Sequence, residues 1–277
     1  MKKNIIYKSK KIFFYLKYRI YERIRSTLKI DQKIYIGKYK LILPPKHLFT
    51  LYKKIYKNYD SSLVQLTSKL KKNSDILDIG SNVGDSLFQM INSNRHLNYY
   101  CIEGDKLFFE YLKKNIKIFN NDIQKKIVLI NKIVGLNLSG NLVGNTSTKK
   151  LVLNQKGKKS NKLDEIISTY KIKNLKLIKI DVDSFDYNVI NSGMKNIKKY
   201  KPLIYFEVMI TDNNNLQNYK KTIIKLDKEG YKFWTLIDNY GNKRFINKQT
   251  DYLINFIVSS GASSLNDVVC YTKKVLL

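Results

Sequence analysis

The residues whose spacing could do chemistry begin with LDIGSNVGD, residues 77–85, which follows an apolar strand start and leads into an amphipathic run. Gly80 and Gly84 let the backbone turn sharply and let a ligand approach it closely. The N–H groups that open the next helix are free to meet that ligand. The motif is D-x-G-x-N-x-G, not the G-x-G-x-x-G triad that cradles a dinucleotide pyrophosphate. Asp78 places a carboxylate at the strand end, where a positive group such as the amine of a sulfonium ligand can sit. Twenty-five residues later Glu103 ends the apolar run YYCIE. An acid at the tip of a second strand is positioned to accept both hydroxyls of a ribose. A glycine turn followed by such an acid indicates an adenosine-containing ligand, and the form of the first motif points to S-adenosylmethionine. The competing interpretation is an ordinary strand-to-helix turn with a surface glutamate.

A second constellation is IDVDSFD, residues 180–186. On an extended segment Asp181 and Asp183 point to the same side. Glu207 closes the run PLIYFEV. If the two strands are neighbours, three carboxylates converge at the carboxyl edge of a sheet. Like charges held together out of water need a proton or a cation between them. Either one carboxylate takes the proton of an acceptor hydroxyl, or a divalent cation, Mg2+ or Mn2+, is held by Asp181, Asp183 and Glu207 and acidifies that hydroxyl. Asp183 or Asp186 could instead cap a helix. Of the two histidines, His96 reads as a surface loop residue on the wrong edge. His47, after a double proline, is a candidate acceptor contact and base.

These residues need elements to hold them. From Asp75 onward, short apolar runs alternate with amphipathic stretches: DILDIG, YYCIEGD, KIVLIN, LKLIKIDVD, PLIYFEV, KFWTLID and DVVCYTK as strands, helices between most of them. That order implies an α/β, Rossmann-like, doubly wound and mostly parallel sheet over residues 73–277. Residues 135–161, rich in Asn, Gly, Ser, Thr and Lys, read as an irregular excursion at the carboxyl edge, and YNVINSGMKNI reads as one helix. Residues 31–72 read as a β-hairpin (KIYIGKYKLIL), then helices over 47–59 and 61–70. Residues 1–30 read as a basic amphipathic helix with Phe13, Leu16, Ile20, Ile24 and Leu28 on one face. It either packs on the domain or lies on an anionic membrane surface.

The net charge is +30. Almost all of the cation content is lysine, with arginine only at positions 19, 23, 25, 95 and 244, whereas arginine is the preferred group for phosphate forks and base edges. Lys, Asn, Ile and Tyr, all abundant here, are encoded by AT-rich codons, so composition bias explains much of the charge. Nucleic acid is not the expected partner, although the surface should favour anions. No run of about 18 uncharged apolar residues is present, so no transmembrane helix is expected. The N-terminus lacks the apolar core of a signal peptide, and a cytoplasmic protein is expected. Cys101 and Cys270 are too few and too far apart for a disulfide framework or a metal motif. Trp234 reads as a core residue, and Asn239 and Gly241 as a turn.

Taken together, these segments resemble the FkbM-type methyltransferases, which methylate hydroxyl groups, often on sugars or polyketides. The resemblance runs from about Ile42 to the end of the chain. It rests on LPPKH (43–47), NYD (58–60), DILDIGSNVGDS (75–86), CIEGD (101–105), LD (163–164), LIKIDVDSFDYNVINSG (177–193), KPLIYFEV (201–208), GYKFWTLIDNYGN (230–242) and DVVCY (267–271). Asp181, Asp183 and Asp186 match the family branch that carries IDTDGFD, with Ser184 in place of the glycine. The resemblance implies S-adenosylmethionine contacts from Asp78, Gly80, Ser81, Asn82, Gly84, Asp85, Glu103, Gly104 and Ile133. It implies catalysis among Asp181, Asp183, Glu207 and His47. The function expected is O-methylation of a sugar, glycan or related small molecule. A nucleic-acid methyltransferase is the alternative suggested by charge, but where amino-directed DNA enzymes carry a D-P-P-Y type of motif, at the end of the fourth strand, this chain has IDVDSFD. A degenerate, non-catalytic binding module is the other alternative, and intact Gly80, Gly84 and Glu103 speak against it.

Overall fold

The computed structural model describes residues 20, 23, 27–56, 58–238, 241–260 and 265–273. The helix expected over residues 1–30 lies almost wholly outside these residues, and so does Asn239. The chain opens with a hairpin, β1 (Gln32–Ile36) and β2 (Tyr39–Leu43), turned at Gly37 with φ +57°. Helices α1 (Phe49–Ile55) and α2 (Ser61–Ser68) follow. α1 starts two residues later than expected because the His47 N–H is used in a turn back to the Pro44 carbonyl.

The α/β part follows as β3 (Asp75–Ile79), α3 (Asp85–Ser93), β4 (Asn98–Ile102), α4 (Lys106–Ile116), α5 (Asn121–Gln124) and β5 (Ile127–Ile130). Residues 135–161 are not irregular. They form a separate antiparallel sheet from β6 (Ser139–Gly144), β7 (Lys149–Leu153) and β8 (Lys158–Lys159). Next come α6 (Leu163–Thr169), β9 (Leu175–Ile180), α7 (Asp186–Ser192), α8 (Met194–Tyr200) and β10 (Leu203–Met209). The single helix expected over YNVINSGMKNI is thus two, broken at Gly193. A side chain at Gly193 would collide with Leu163, 2.7 Å from the position of its Cβ, so the bend lets α6 pack close. The chain ends with α9 (Asn213–Lys228), β11 (Phe233–Asp238), β12 (Lys243–Lys248), α10 (Thr250–Ser260) and β13 (Leu265–Tyr271).

The main sheet has the order β12-β11-β13-β10-β9-β3-β4-β5. β5, β4, β3, β9 and β10 pair in parallel. β13 runs antiparallel between β10 and β11, and β12 is antiparallel to β11. The chain enters the sheet at β3, winds out to β5, and returns to the other side of β3 as β9. The crevice at the carboxyl ends of β3 and β9 is therefore the switch point, where such sheets bind ligands. This is the doubly wound α/β architecture of class I methyltransferases.

β3 is buried along its whole length, as a strand covered on both faces must be. Alternate residues divide the core. Leu77, Ile79, Ile178, Ile180, Phe206 and Val208 pack with α6 to α10 on one face. Ile76, Tyr99, Cys101, Leu177 and Tyr205 pack with the hairpin and α1 to α4 on the other. Trp234 is fully buried on the first face and donates its indole N–H to the Thr250 hydroxyl at 2.9 Å. Among the described residues, no helix is long and apolar enough to cross a membrane.

Candidate active site

Strand register explains how the polar groups meet. Asp78 pairs with Cys101 of β4 on one side and with Lys179 of β9 on the other. Lys179 pairs with Tyr205 of β10, and Glu207 pairs with Asp267 of β13. Cross-strand partners share a face. A polar row therefore runs across the face that carries the hairpin and α1 to α4. Residues two further along each strand, Gly80, Glu103, Asp181 and Glu207, lie at its carboxyl edge. Above this edge is a cavity of ≈ 480 Å³, within the range of small-molecule sites.

At one end of the cavity stands Glu103, 7% exposed. Its two oxygens accept the backbone N–H groups of Asn82 (2.8 Å) and Asp105 (2.7 Å). Each oxygen keeps a second lone pair, so two hydroxyls of one ligand can be received. Burial pushes its pKa up to about 7, against the pull of those two N–H groups. Gly104 and Ile133 supply apolar wall beside it. A Cβ on Gly104 would stand 2.9 Å from the Ile133 side chain. Gly80 has φ +78°, and a Cβ there would lie 1.9 Å from the Asp181 carbonyl oxygen, so the two strand ends can approach only around glycine. Gly84, at φ +97°, precedes the first turn of α3. Asp85 opens α3 on the cavity wall, and burial raises its pKa to about 6.

Asn82 joins three segments. Its side-chain amide donates to the Ser147 carbonyl at 2.8 Å, and its side-chain oxygen accepts from His47 Nε2 at 3.2 Å. His47 is 3% exposed. Its Nδ1 accepts the Phe49 N–H at 3.3 Å, which leaves the ring proton on Nε2. Burial lowers its pKa to about 4, despite the bond to Asn82. Both ring nitrogens are therefore used in holding the loop, and this is not the arrangement of a general base.

Asp78 does not line the cavity. It is fully buried, with its carboxylate 3.2 Å from the Lys179 ammonium. Ser81 is also behind the wall, with its hydroxyl on the Asp78 carbonyl at 2.6 Å. Lys179, which the sequence did not single out, is the hub. Its ammonium also donates to the Gly80 carbonyl at 3.1 Å and faces Asp181 at 3.4 Å. Burial alone pulls its pKa down, but Asp78, Asp181, Asp85 and Asp60 outweigh that and hold it above the ordinary lysine range.

Asp181, Asp183 and Glu207 all line the cavity. The Asp181 side chain is 53% exposed. Asp183 and Ser184 have φ +50° and +71°, so the turn keeps its left-handed backbone although serine stands where the family has glycine. Burial, and Asp181 nearby, push Asp183 up to about 6. Burial together with Asp181, Asp186 and Asp267 pushes Glu207 to about 10. Asp186 is fully buried and accepts the Glu207 and Val182 N–H groups, which makes it a brace for the strand ends. The three carboxylates expected to hold Mg2+ or Mn2+ do not fit that role: Asp181 faces an ammonium. Among the described residues, no group of three His, Cys, Asp or Glu side chains is placed to hold a metal.

The α1–α2 segment closes the far end with Asp60 and Tyr59, and β10 and β13 with Tyr205 and Asp267. All four stand in segments that carry the family resemblance, NYD, KPLIYFEV and DVVCY, but none is expected there as a site residue. They reach the cavity only through tertiary packing.

A sheet entered at its centre, with a glycine turn and a buried strand-end acid at the switch point, is the arrangement that the methyltransferase reading requires. The Methyltransferase FkbM domain matches residues 78–233. The chain belongs to the FkbM family of S-adenosylmethionine-dependent methyltransferases. Among solved structures, an FkbM methyltransferase from Methylobacillus flagellatus KT is 13% identical, with 81% of this chain and 59% of that one covered and a TM-score of 0.48. M. jannaschii TYW2 in complex with AdoMet is 10% identical over 89% of this chain and 88% of that one, with a TM-score of 0.46. A putative O-methyltransferase from Klebsiella pneumoniae is 13% identical over 76% of both chains, with a TM-score of 0.44. Likeness at this level says nothing about the acceptor. No curated protein matches the chain.

Proposed function

We propose that the chain transfers the methyl group of S-adenosylmethionine to a hydroxyl of a sugar, glycan or related small acceptor. The observation that supports this best is the division of one cavity between the two strand ends. One end presents Glu103 with open acceptor positions against apolar Ile133. The other presents Asp181 and Glu207 among tyrosines. S-adenosylmethionine supplies a methyl group made electrophilic by its sulfonium. Glu103 would receive the ribose hydroxyls, Gly104 and Ile133 would border the base, and Asp85 would hold the amino-acid end.

An alcohol is too weakly acidic to lose its proton unaided near neutral pH, so a base must take it as the new O–C bond forms. Asp181 is that base: it borders the switch point, reaches solvent, and is held in place by Lys179. Glu207, pushed up to about 10, keeps its proton at neutral pH and donates it as a hydrogen bond to the acceptor. The aromatic rings of Tyr59 and Tyr205 limit water around the exchange.

Asp181→Asn keeps the shape and removes the base. Turnover with a saccharide acceptor should fall by about 100-fold or more, while S-adenosylhomocysteine binding, read by calorimetry, stays unchanged. Transfer of labelled methyl groups to saccharides, duplex DNA and RNA compares the acceptor classes. Near-normal turnover in the variant removes Asp181 from the mechanism. Labelling of nucleic acid in preference to every saccharide refutes the acceptor class.

A further inference from the structure

The acceptor end of the cavity has a charge opposite to that of the chain as a whole. Asp60, Asp181, Asp183, Glu207 and Asp267 all line it, with Lys150 beside Asp183, in a protein of net charge +30. Lys179 is the ammonium built into their midst. Asp60 arrives from the α1–α2 segment on a left-handed backbone, φ +58°, with one oxygen bonded to Gln89 at 2.6 Å. Asp267 receives the Tyr205 hydroxyl at 2.7 Å. Beside them Ser62, 2% exposed, lines the cavity with a hydroxyl that has no hydrogen-bond partner.

The cofactor does not balance this set. Its sulfonium, ammonium and carboxylate sum to a single positive charge. With Lys150, which pulls down on the pKa of Asp183, and Lys179, that makes three positive charges against six carboxyl groups, counting Asp78 behind the wall with Asp60, Asp181, Asp183, Glu207 and Asp267. The remainder is relieved either by protons, as the raised pKa values of Asp60 (about 8) and Asp267 (about 7) indicate, or by a cation that enters with the acceptor. Burial is the largest cause of both shifts, so a cation that shares the buried space has most to gain. The faces of Tyr59 and Tyr205 favour the same charge. A uronate, a sugar phosphate or a nucleic-acid strand would bring more negative charge to a place already short of cations.

We propose that the acceptor carries an amino group near the hydroxyl to be methylated, so that the substrate class is a hydroxylated amine such as an amino sugar. This rests on the methyltransferase reading above and narrows its acceptor. The unpaired Ser62 hydroxyl accepts or donates one of the sugar's hydrogen bonds, and the carboxylates receive the ammonium.

Ligand-observed NMR with the full chain, saturated with S-adenosylhomocysteine at pH 7, tests this with four methyl glycosides: glucosaminide, glucoside, N-acetylglucosaminide and glucuronide. The glucosaminide should bind about tenfold or more tighter than the glucoside, the scale of one hydrogen bond to a charged group. N-acetylation should erase that gain, and the glucuronide should bind weakest. Asp60→Asn with Asp267→Asn should shrink the gain while S-adenosylhomocysteine still binds. Equal affinity for glucosaminide and glucoside overturns the amine but leaves sugar methylation standing. Tighter binding of the glucuronide, or no binding of any glycoside, overturns the proposal. Failure to bind S-adenosylhomocysteine counts against the methyltransferase reading itself.

Discussion

Replacing Lys179 by methionine keeps most of the apolar stem of the side chain and removes its charge. Asp78, fully buried, then keeps a carboxylate with no counter-ion. Asp181 loses the same partner, but its side chain is 53% exposed, so water can replace the ammonium there. The loss is therefore dominated by Asp78. Removing one partner of a buried pair costs roughly 3–5 kcal/mol. The unfolding entropy of a chain of 277 residues is about 0.6 kcal/mol per kelvin, at roughly 2.1 cal/mol/K per residue. The melting temperature should thus fall by about 5–9 °C. Unfolding can be followed by the fluorescence of Trp234, the single tryptophan, which is fully buried. Asp78→Asn alone should also destabilise, because it leaves the ammonium short of a partner. The double variant should lose less than the sum of the singles, since the second change removes the orphan left by the first. Additive effects to within about 0.5 kcal/mol, or a Lys179→Met protein that melts within about 2 °C of the parent, would refute the account of Lys179 as the hub.

Two further outcomes follow from the same edge of the sheet. Glu103 has its pKa raised from 4.5 to about 7, and only its ionised form accepts two ribose hydroxyls. Its shift lowers stability as pH rises from about 4.5 to 7, and binding must work against the proton below pH 7. S-adenosylhomocysteine affinity, measured by calorimetry, should therefore weaken as pH falls below about 7, approaching tenfold per unit, and Glu103→Gln should flatten the dependence. An unchanged pH dependence in that variant would show that another group carries it. Gly80→Ala places a Cβ 1.9 Å from the Asp181 carbonyl oxygen, whereas at Gly230, also at positive φ, nothing lies within 4 Å. The second substitution should cost about 1–2 kcal/mol from backbone strain alone, and the first clearly more, read as melting temperatures. Equal losses would mean that the β3–β9 approach is not constrained as described.

Much of the sheet is legible in the chain because each buried parallel strand is a local apolar run and each crossover a local amphipathic one. The glycine turn and Glu103 are legible for the same reason: their roles are set within a few residues of a strand end. Asp78 shows where local inference stops. It was expected to face the ligand, but it faces Lys179, 101 positions away, and only lateral register decides that. Lys179 sits in LKLIKID, where a lysine in a strand reads as an exposed residue. A charged residue placed two before Asp181, on the same side of the strand, was the available signal. Asp60 and Tyr59 stand in NYD, a segment of the family resemblance, but they reach the cavity through the folding of the α1–α2 segment over the sheet, which nothing local in the chain specifies. β6 to β8 are not legible because Asn, Gly and Ser dilute the alternation that marks a strand. β12 and α10 went unread because the stretch from Lys243 to Ser260 lies between two stronger strand signals.

The excursion between β5 and α6 forms its own sheet: its strands hydrogen-bond to one another and share no ladder with the main sheet. Its tip nevertheless reaches the cavity, where Ser147 receives the Leu48 N–H and the Asn82 amide, and Thr146 donates to the Pro45 carbonyl. Two tasks are thereby separated along the chain. The eight-stranded sheet presents Glu103, Asp181 and Glu207 at its strand ends, and residues 139–159 form a wall over the Glu103 end, where Leu142 lies against Gly104 and Lys149 faces Asp105. Such a wall can be rewritten through mutation and selection without unfolding what lies beneath it. A designer seeking to reshape the cavity would exchange that sheet while keeping Ser147 and its neighbours as the fasteners.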